Sequence, residues 1–179
     1  MENRNIFVFG SNTQGRHGKG AALSAVRMHG AIYGQARGLQ GNAYAIVTKE
    51  LRKDKPPVHL NHVLAQVKSL FLPFAREHPE MTFNVTAIGC GLAGFKPSEI
   101  APLFEDSPDN VKLPGVFREI LYINAVLPER DKDYKYYFQL VYDGTNELYA
   151  NAYAIAMTTP HDPSDTLNTH EEVNPMPSP

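Results

Sequence analysis

The stretch IFVFGSNTQGRHGKGAALSA, residues 6–25, decides how the rest of the chain is read. Ile6 to Phe9 are apolar and β-prone, as a strand buried on both faces should be. Gly10 is read as its end. Glycines follow at 15, 18 and 20, and the chain then turns alanine-rich. Residues 20–29, GAALSAVRMH, predict a helix with Ala22, Leu23, Val26 and Met28 on its buried face and Gly30 at its C-terminus. A strand that empties through glycines into a helix can aim backbone N–H groups at an anion, and the helix N-terminus adds partial positive charge.

The same grammar recurs further on. Residues 43–48, AYAIVT, form a second apolar strand, preceded by Gly34, Gly38 and Gly41-Asn42, which mark a loop or a short hairpin. After Pro56-Pro57, the apolar residues Leu60, Val63, Leu64, Val67, Leu70, Phe71 and Phe74 fall on one face of a 3.6-residue period. They predict a long amphipathic helix that Pro73 bends or ends. Residues 82–88, TFNVTAI, alternate as a third strand and run into a second glycine loop, Gly89 to Gly94. A short irregular helix is expected over 97–105, with Pro97 in its first turn. Phe117 to Leu127 has no clean period. Residues 134–142 and 147–157 suggest a hairpin around Asp143-Gly144. From 158 to 179, Pro, Ser, Thr and Asp dominate, and a disordered tail is expected.

Alternating strands and helices predict an α/β layered sheet, within a single domain over residues 5–157. Ligands of such sheets collect at the carboxyl ends of the strands, where both glycine loops fall. A net charge of −2 gives no general pull toward nucleic acid or anionic lipid. The single cysteine, Cys90, allows no internal disulfide, and the seven histidines are scattered without zinc spacing. The opening residues carry no apolar signal-like run, and no stretch has the roughly 18 apolar residues of a membrane span. The expected setting is the cytoplasm, with no membrane partner and no cofactor.

Two common phosphate motifs do not fit. Gly18-Lys19-Gly20 is followed by Ala21-Ala22-Leu23, so the third glycine of G-x-G-x-x-G is missing. For a P-loop, Gly18-Lys19 lacks the following Ser or Thr, and Thr13 stands where the first glycine belongs. Gly10-Ser11-Asn12, with Gly15, Gly18 and Gly20-Ala21-Ala22, instead resembles the opening of a macrodomain. Ile88-Gly89-Cys90-Gly91 is similar to the second macrodomain signature. Ala45-Ile46-Val47-Thr48-Lys49 is similar to a strand of the terminal ADP-ribose glycohydrolase type. The ordered set covers residues 5–105 and also resembles phage and bacterial macro-like proteins.

The resemblance implies a three-layer α/β/α sandwich with a mixed central sheet and a C-terminal extension. It also implies a cleft for ADP-ribose or a related nucleotide. On it, Gly10, Ser11 and Asn12 approach the ligand, with Asn12 at the distal ribose. Gly18, Lys19, Gly20 and Ala21 line the ribose and phosphate side. Gly89, Cys90, Gly91, Leu92, Ala93 and Gly94 wrap the diphosphate from the other side. In the hydrolases of that type the lysine corresponding to Lys49 attacks the anomeric carbon, assisted by an Asp whose position here holds Ala93. Glu50, Glu99 and Asp106 are the candidate substitutes. Arg16 and Lys19 are expected to meet phosphate, His17 to be an exposed loop side chain, and Cys90 to be a packing residue rather than a nucleophile. The alternative is a non-enzymatic interaction module that keeps this fold and binds a protein partner through its C-terminal tyrosine-rich region.

Overall fold

A computed structural model describes residues 4–126, so the expected hairpin beyond residue 134 and the tail from 158 lie outside the described residues. The elements run β1 (Arg4–Asn12), α1 (Gly20–His29), β2 (Gly38–Gln40), β3 (Ala43–Lys49), α2 (Leu60–Gln66) and a π turn (Val67–Phe71). They continue with α3 (Leu72–Glu77), β4 (Met81–Val85), α4 (Pro97–Ile100), a 3₁₀ turn (Ala101–Phe104), β5 (Val111–Lys112) and α5 (Gly115–Val126). The strands form one mixed sheet in the order β2-β3-β1-β4-β5. β1 lies parallel between β3 and β4, β5 is parallel to β4, and β2 turns back antiparallel on β3. The fold is therefore α/β, as the alternation of elements predicts.

Successive side chains of β1 point to opposite faces of the sheet. Ile6 and Val8 join Tyr44, Ile46, Phe83 and Val85 in a large cluster with residues of α2 through α5. Phe9 joins Ala43 and Ala45 in a smaller cluster under Ala22 and Ala25 of α1. Both faces are thus dry, which is why β1 and β3 read as continuous apolar runs. Met28, expected on the buried face of α1, is 70% exposed because Ala22 and Ala25 take the inward positions.

Three local expectations need correction. Gly10 does not end β1, which continues to Asn12. β4 stops at Val85, short of the expected Ile88. The expected long helix is real but interrupted: the Leu72 N–H reaches back to the Val67 carbonyl across the π turn. Pro73 explains the break, since it lacks an N–H and its ring crowds the carbonyl four residues back. Val63, Val67, Phe71 and Ala75, each four apart, are buried together with Leu72, while Leu70 is 51% exposed. A regular helix rotates about 40° per four residues, and the wider π turn takes up part of that drift.

β2 is only three residues long, so it leaves the outer edge of β3 bare beyond Ala45. Gln66 of α2 covers the gap. Its Oε1 accepts the Val47 N–H at 2.9 Å and its Nε2 donates to the Val47 carbonyl at 2.9 Å. This amide clamp fixes the strand just before Thr48 and Lys49. Gln66→Ala should cost about 1–3 kcal/mol for each backbone group it orphans. Urea denaturation of the full chain measures this, and an unchanged midpoint would contradict it.

Candidate functional site

The carboxyl ends of β1, β3 and β4 lie side by side and open onto a cleft of about 620 Å³, a size suited to a small organic ligand. Gly10 stands at the junction. A Cβ there would lie 3.1 Å from Thr48 Oγ1 and 3.2 Å from the Gly89 nitrogen. Thr48 Oγ1 donates to the Ser11 carbonyl at 3.2 Å, and Thr86 Oγ1 donates to the Val8 carbonyl at 2.9 Å. A shift in register between Ser11 and Asn12 brings Asn12 opposite Lys49. Such irregularities re-aim side chains at sheet ends.

The two glycine loops face the same space. Gly10, Ser11, Asn12, Gly18, Lys19, Gly20 and Ala21 line it from one wall, and Gly89, Gly91, Leu92 and Ala93 from the other. Cys90 and Gly94 of the expected set stand outside the lining. Cys90 packs against the large core cluster, with Sγ 3.4 Å from the Ile88 carbonyl. Gly94 serves the turn itself, with φ 83° and its N–H on the Gly91 carbonyl. Residues not anticipated also line the cleft, among them Tyr33, Leu51 and Thr86. No local motif marks Tyr33, which the topology carries there from the segment after α1.

The first loop is built around Asn12. Its Oδ1 accepts the N–H groups of Gln14 at 3.2 Å and Arg16 at 3.0 Å, and its Nδ2 donates to the Arg16 carbonyl at 2.7 Å. The side chain expected at a ribose is therefore largely committed to holding the backbone of Arg16. Gly15 permits the turn. With φ 64°, its Cβ would sit 2.5 Å from the Gly34 carbonyl carbon, a contact that excludes any side chain.

His17, expected at the surface, is only 1% exposed. Its ring stands edge-on to Phe9, at 5.0 Å between centroids, and its Nε2 lies 3.0 Å from Ser11 Oγ. Nδ1 is buried with no hydrogen-bond partner among the described residues. Burial pushes the His17 pKa down from its ordinary value. The histidine is thus a neutral wedge under the loop, and Arg16 and Lys19 on either side remain free to face the cleft.

The cleft is cationic. Among the described residues its lining contains Arg16, Lys19 and Lys49 and no carboxylate. Lys49 Nζ donates to the Leu92 carbonyl at 2.6 Å, tying the end of β3 to the second loop. None of the candidate acids reaches the lining. Glu50 accepts from Thr13 Oγ1 at 2.7 Å and pairs with Arg52 at 2.8 Å, and the Arg52 hydrogen bonds hold it well below the usual carboxylate range. Glu99 accepts the Lys96 N–H at 2.8 Å, and Asp106 pairs with Lys68 at 2.6 Å. Among the described residues no His, Cys, Asp and Glu group is placed to hold a metal, and no helix is long and apolar enough to cross a membrane. Compared with models of known protein families, with curated proteins and with solved structures, the chain matches none.

The buried His17 has a pH signature. Above about pH 6.5 it is neutral in folded and unfolded chains alike. As pH falls through that value the unfolded chain takes the proton first, so stability drops. Glu50 acts in the same direction but lower, below the ordinary carboxylate range. The melting temperature should therefore fall from pH 7 to pH 5, and His17→Phe should flatten that fall. Equal slopes for the two proteins would contradict the assignment.

Proposed function

We propose that this protein binds ADP-ribose or a related nucleotide in the cleft, on a three-layer α/β/α framework of the macrodomain kind. One observation carries the reading. Gly18 and Gly91 stand on opposite walls, and neither adopts the positive φ that would call for glycine. A Cβ at either would meet nothing within 4 Å. Neither local conformation nor packing among the described residues demands a glycine at these two places. Close approach of a ligand to both backbones does.

The charge supports an anionic guest. Three cations line the cleft of a chain whose net charge is −2, so the attraction is local. The N-terminus of α1 has no side-chain cap and no acidic residue in its first turn. Gly20, Ala21 and Ala22 open it directly into the cleft. A diphosphate placed there meets orphan N–H groups and the helix dipole on one side and the Gly89–Ala93 backbone on the other.

Binding is favoured over hydrolysis. In the resembling hydrolases an Asp assists the lysine, and that position here holds Ala93, while the Lys49 amine is turned onto the Leu92 carbonyl at 2.6 Å. Among the described residues no carboxylate or histidine lines the cleft, so the commonest general acids and bases are not within reach of the ligand. The protein is accordingly read as a capture module for a nucleotide diphosphate. The alternative, a module that only contacts other proteins, predicts no affinity for the nucleotide.

Calorimetric titration of the full chain with ADP-ribose tests the proposal. The wild type should bind, and Gly91→Glu should lose at least about tenfold in affinity while stability changes by no more than about 0.5 kcal/mol. An ADP-ribosylated protein should release no ADP-ribose. No binding by the wild type, or full binding by Gly91→Glu, would overturn the reading.

A further inference from the structure

We infer that Tyr33 is a stacking platform for the aromatic base of the ligand, an inference that rests on the cleft being a nucleotide site. Tyr33 lines the cleft yet is 65% exposed. It makes no hydrogen bond or ring contact with any described residue. The residues on either side of it, by contrast, are firmly held. The Ile32 N–H donates to Gln40 Oε1 at 2.7 Å, the Gln35 N–H to the Ile32 carbonyl at 3.1 Å, and the Gly34 N–H to the Gly15 carbonyl at 2.9 Å. Gln40 is itself buried and returns a bond from Nε2 to the Gln35 carbonyl at 3.2 Å. The contact between Gly15 and Gly34 then ties the Tyr33 turn to the loop that presents Arg16.

A large exposed ring on a rigid turn is costly to leave in water and cheap to use in binding, because few torsions remain to be ordered. Met28 and Ile32 are also exposed nearby, but they do not line the cleft. Two further apolar side chains do: Leu51, 38% exposed, and Leu92, 66% exposed. Phosphate and sugar gain little from such surface, whereas the planar face of a base gains stacking and apolar burial. The cleft lining therefore combines cations and the start of α1 with the apolar side chains of Tyr33, Leu51 and Leu92. This combination selects a nucleotide over a sugar phosphate. The base is held by its flat face, so recognition by Tyr33 tolerates different bases.

The test is calorimetric titration of wild type, Tyr33→Ala and Tyr33→Phe with ADP-ribose and with ribose 5-phosphate, which has no base. Tyr33→Ala should weaken ADP-ribose by roughly 10-fold to 100-fold, as loss of one base–aromatic stack does. Tyr33→Phe should stay within about twofold of wild type, and ribose 5-phosphate should bind all three proteins alike. If wild type binds ADP-ribose and Tyr33→Ala binds it equally well, the stacking role is wrong and the cleft assignment stands. Equal losses for both ligands also overturn stacking, because they place the defect in the loop and not in the base. If wild type binds neither ligand, both readings fall together.

Discussion

The constraint on which the structure depends is the close parallel seating of β1 between β3 and β4. Backbone hydrogen bonds hold the three strands side by side, and Gly10 lets their ends converge without a side chain in the way. Once Thr48, Ser11 and Gly89 are neighbours, the chains leaving those strands have one common exit. The glycine loop that leads into α1 and the loop after β4 must then border the same crevice. Gln66 supports this from the far edge by holding Val47, and His17 supports it from beneath by filling the space next to Phe9.

Charge follows from that geometry. The candidate acids are each engaged by a specific partner: Glu50 by Arg52 and Thr13, Asp106 by Lys68, and Glu99 by the backbone at Lys96. The cations Arg16, Lys19 and Lys49 keep the crevice to themselves. An uncapped helix start and unencumbered glycines on both walls make the same surface rich in N–H donors. A cleft whose described lining has cations and no carboxylate suits the retention of an anion.

Much of this was legible in the sequence because parallel strands buried on both faces announce themselves as unbroken apolar runs. IFVF and AYAIV could hardly be anything else, and α1 with its Gly30 cap follows standard rules. The failures have separate causes. β5, with two residues, is too short to show alternation, and α5 shows no clean period because exposed Tyr122 interrupts its buried Phe117, Ile120 and Ile123. An unbroken 3.6-residue period places Leu70 inside, and nothing in the sequence marks the π turn. His17 was misplaced because a glycine-rich loop suggests solvent, while its burial comes from Phe9, eight residues earlier. Nothing local distinguishes Tyr33; the contact of Gly15 with Gly34 carries it to the cleft.

The central claim is that two segments remote in sequence act as facing walls around one anion. Amide chemical shifts of the isotopically labelled full chain, followed during titration with ADP-ribose, test it most directly. The account predicts that Gly18, Lys19 and Gly20 move together with Gly89, Gly91 and Ala93, along one saturation curve. Movement confined to one of the two segments, or none at saturating nucleotide, would contradict it.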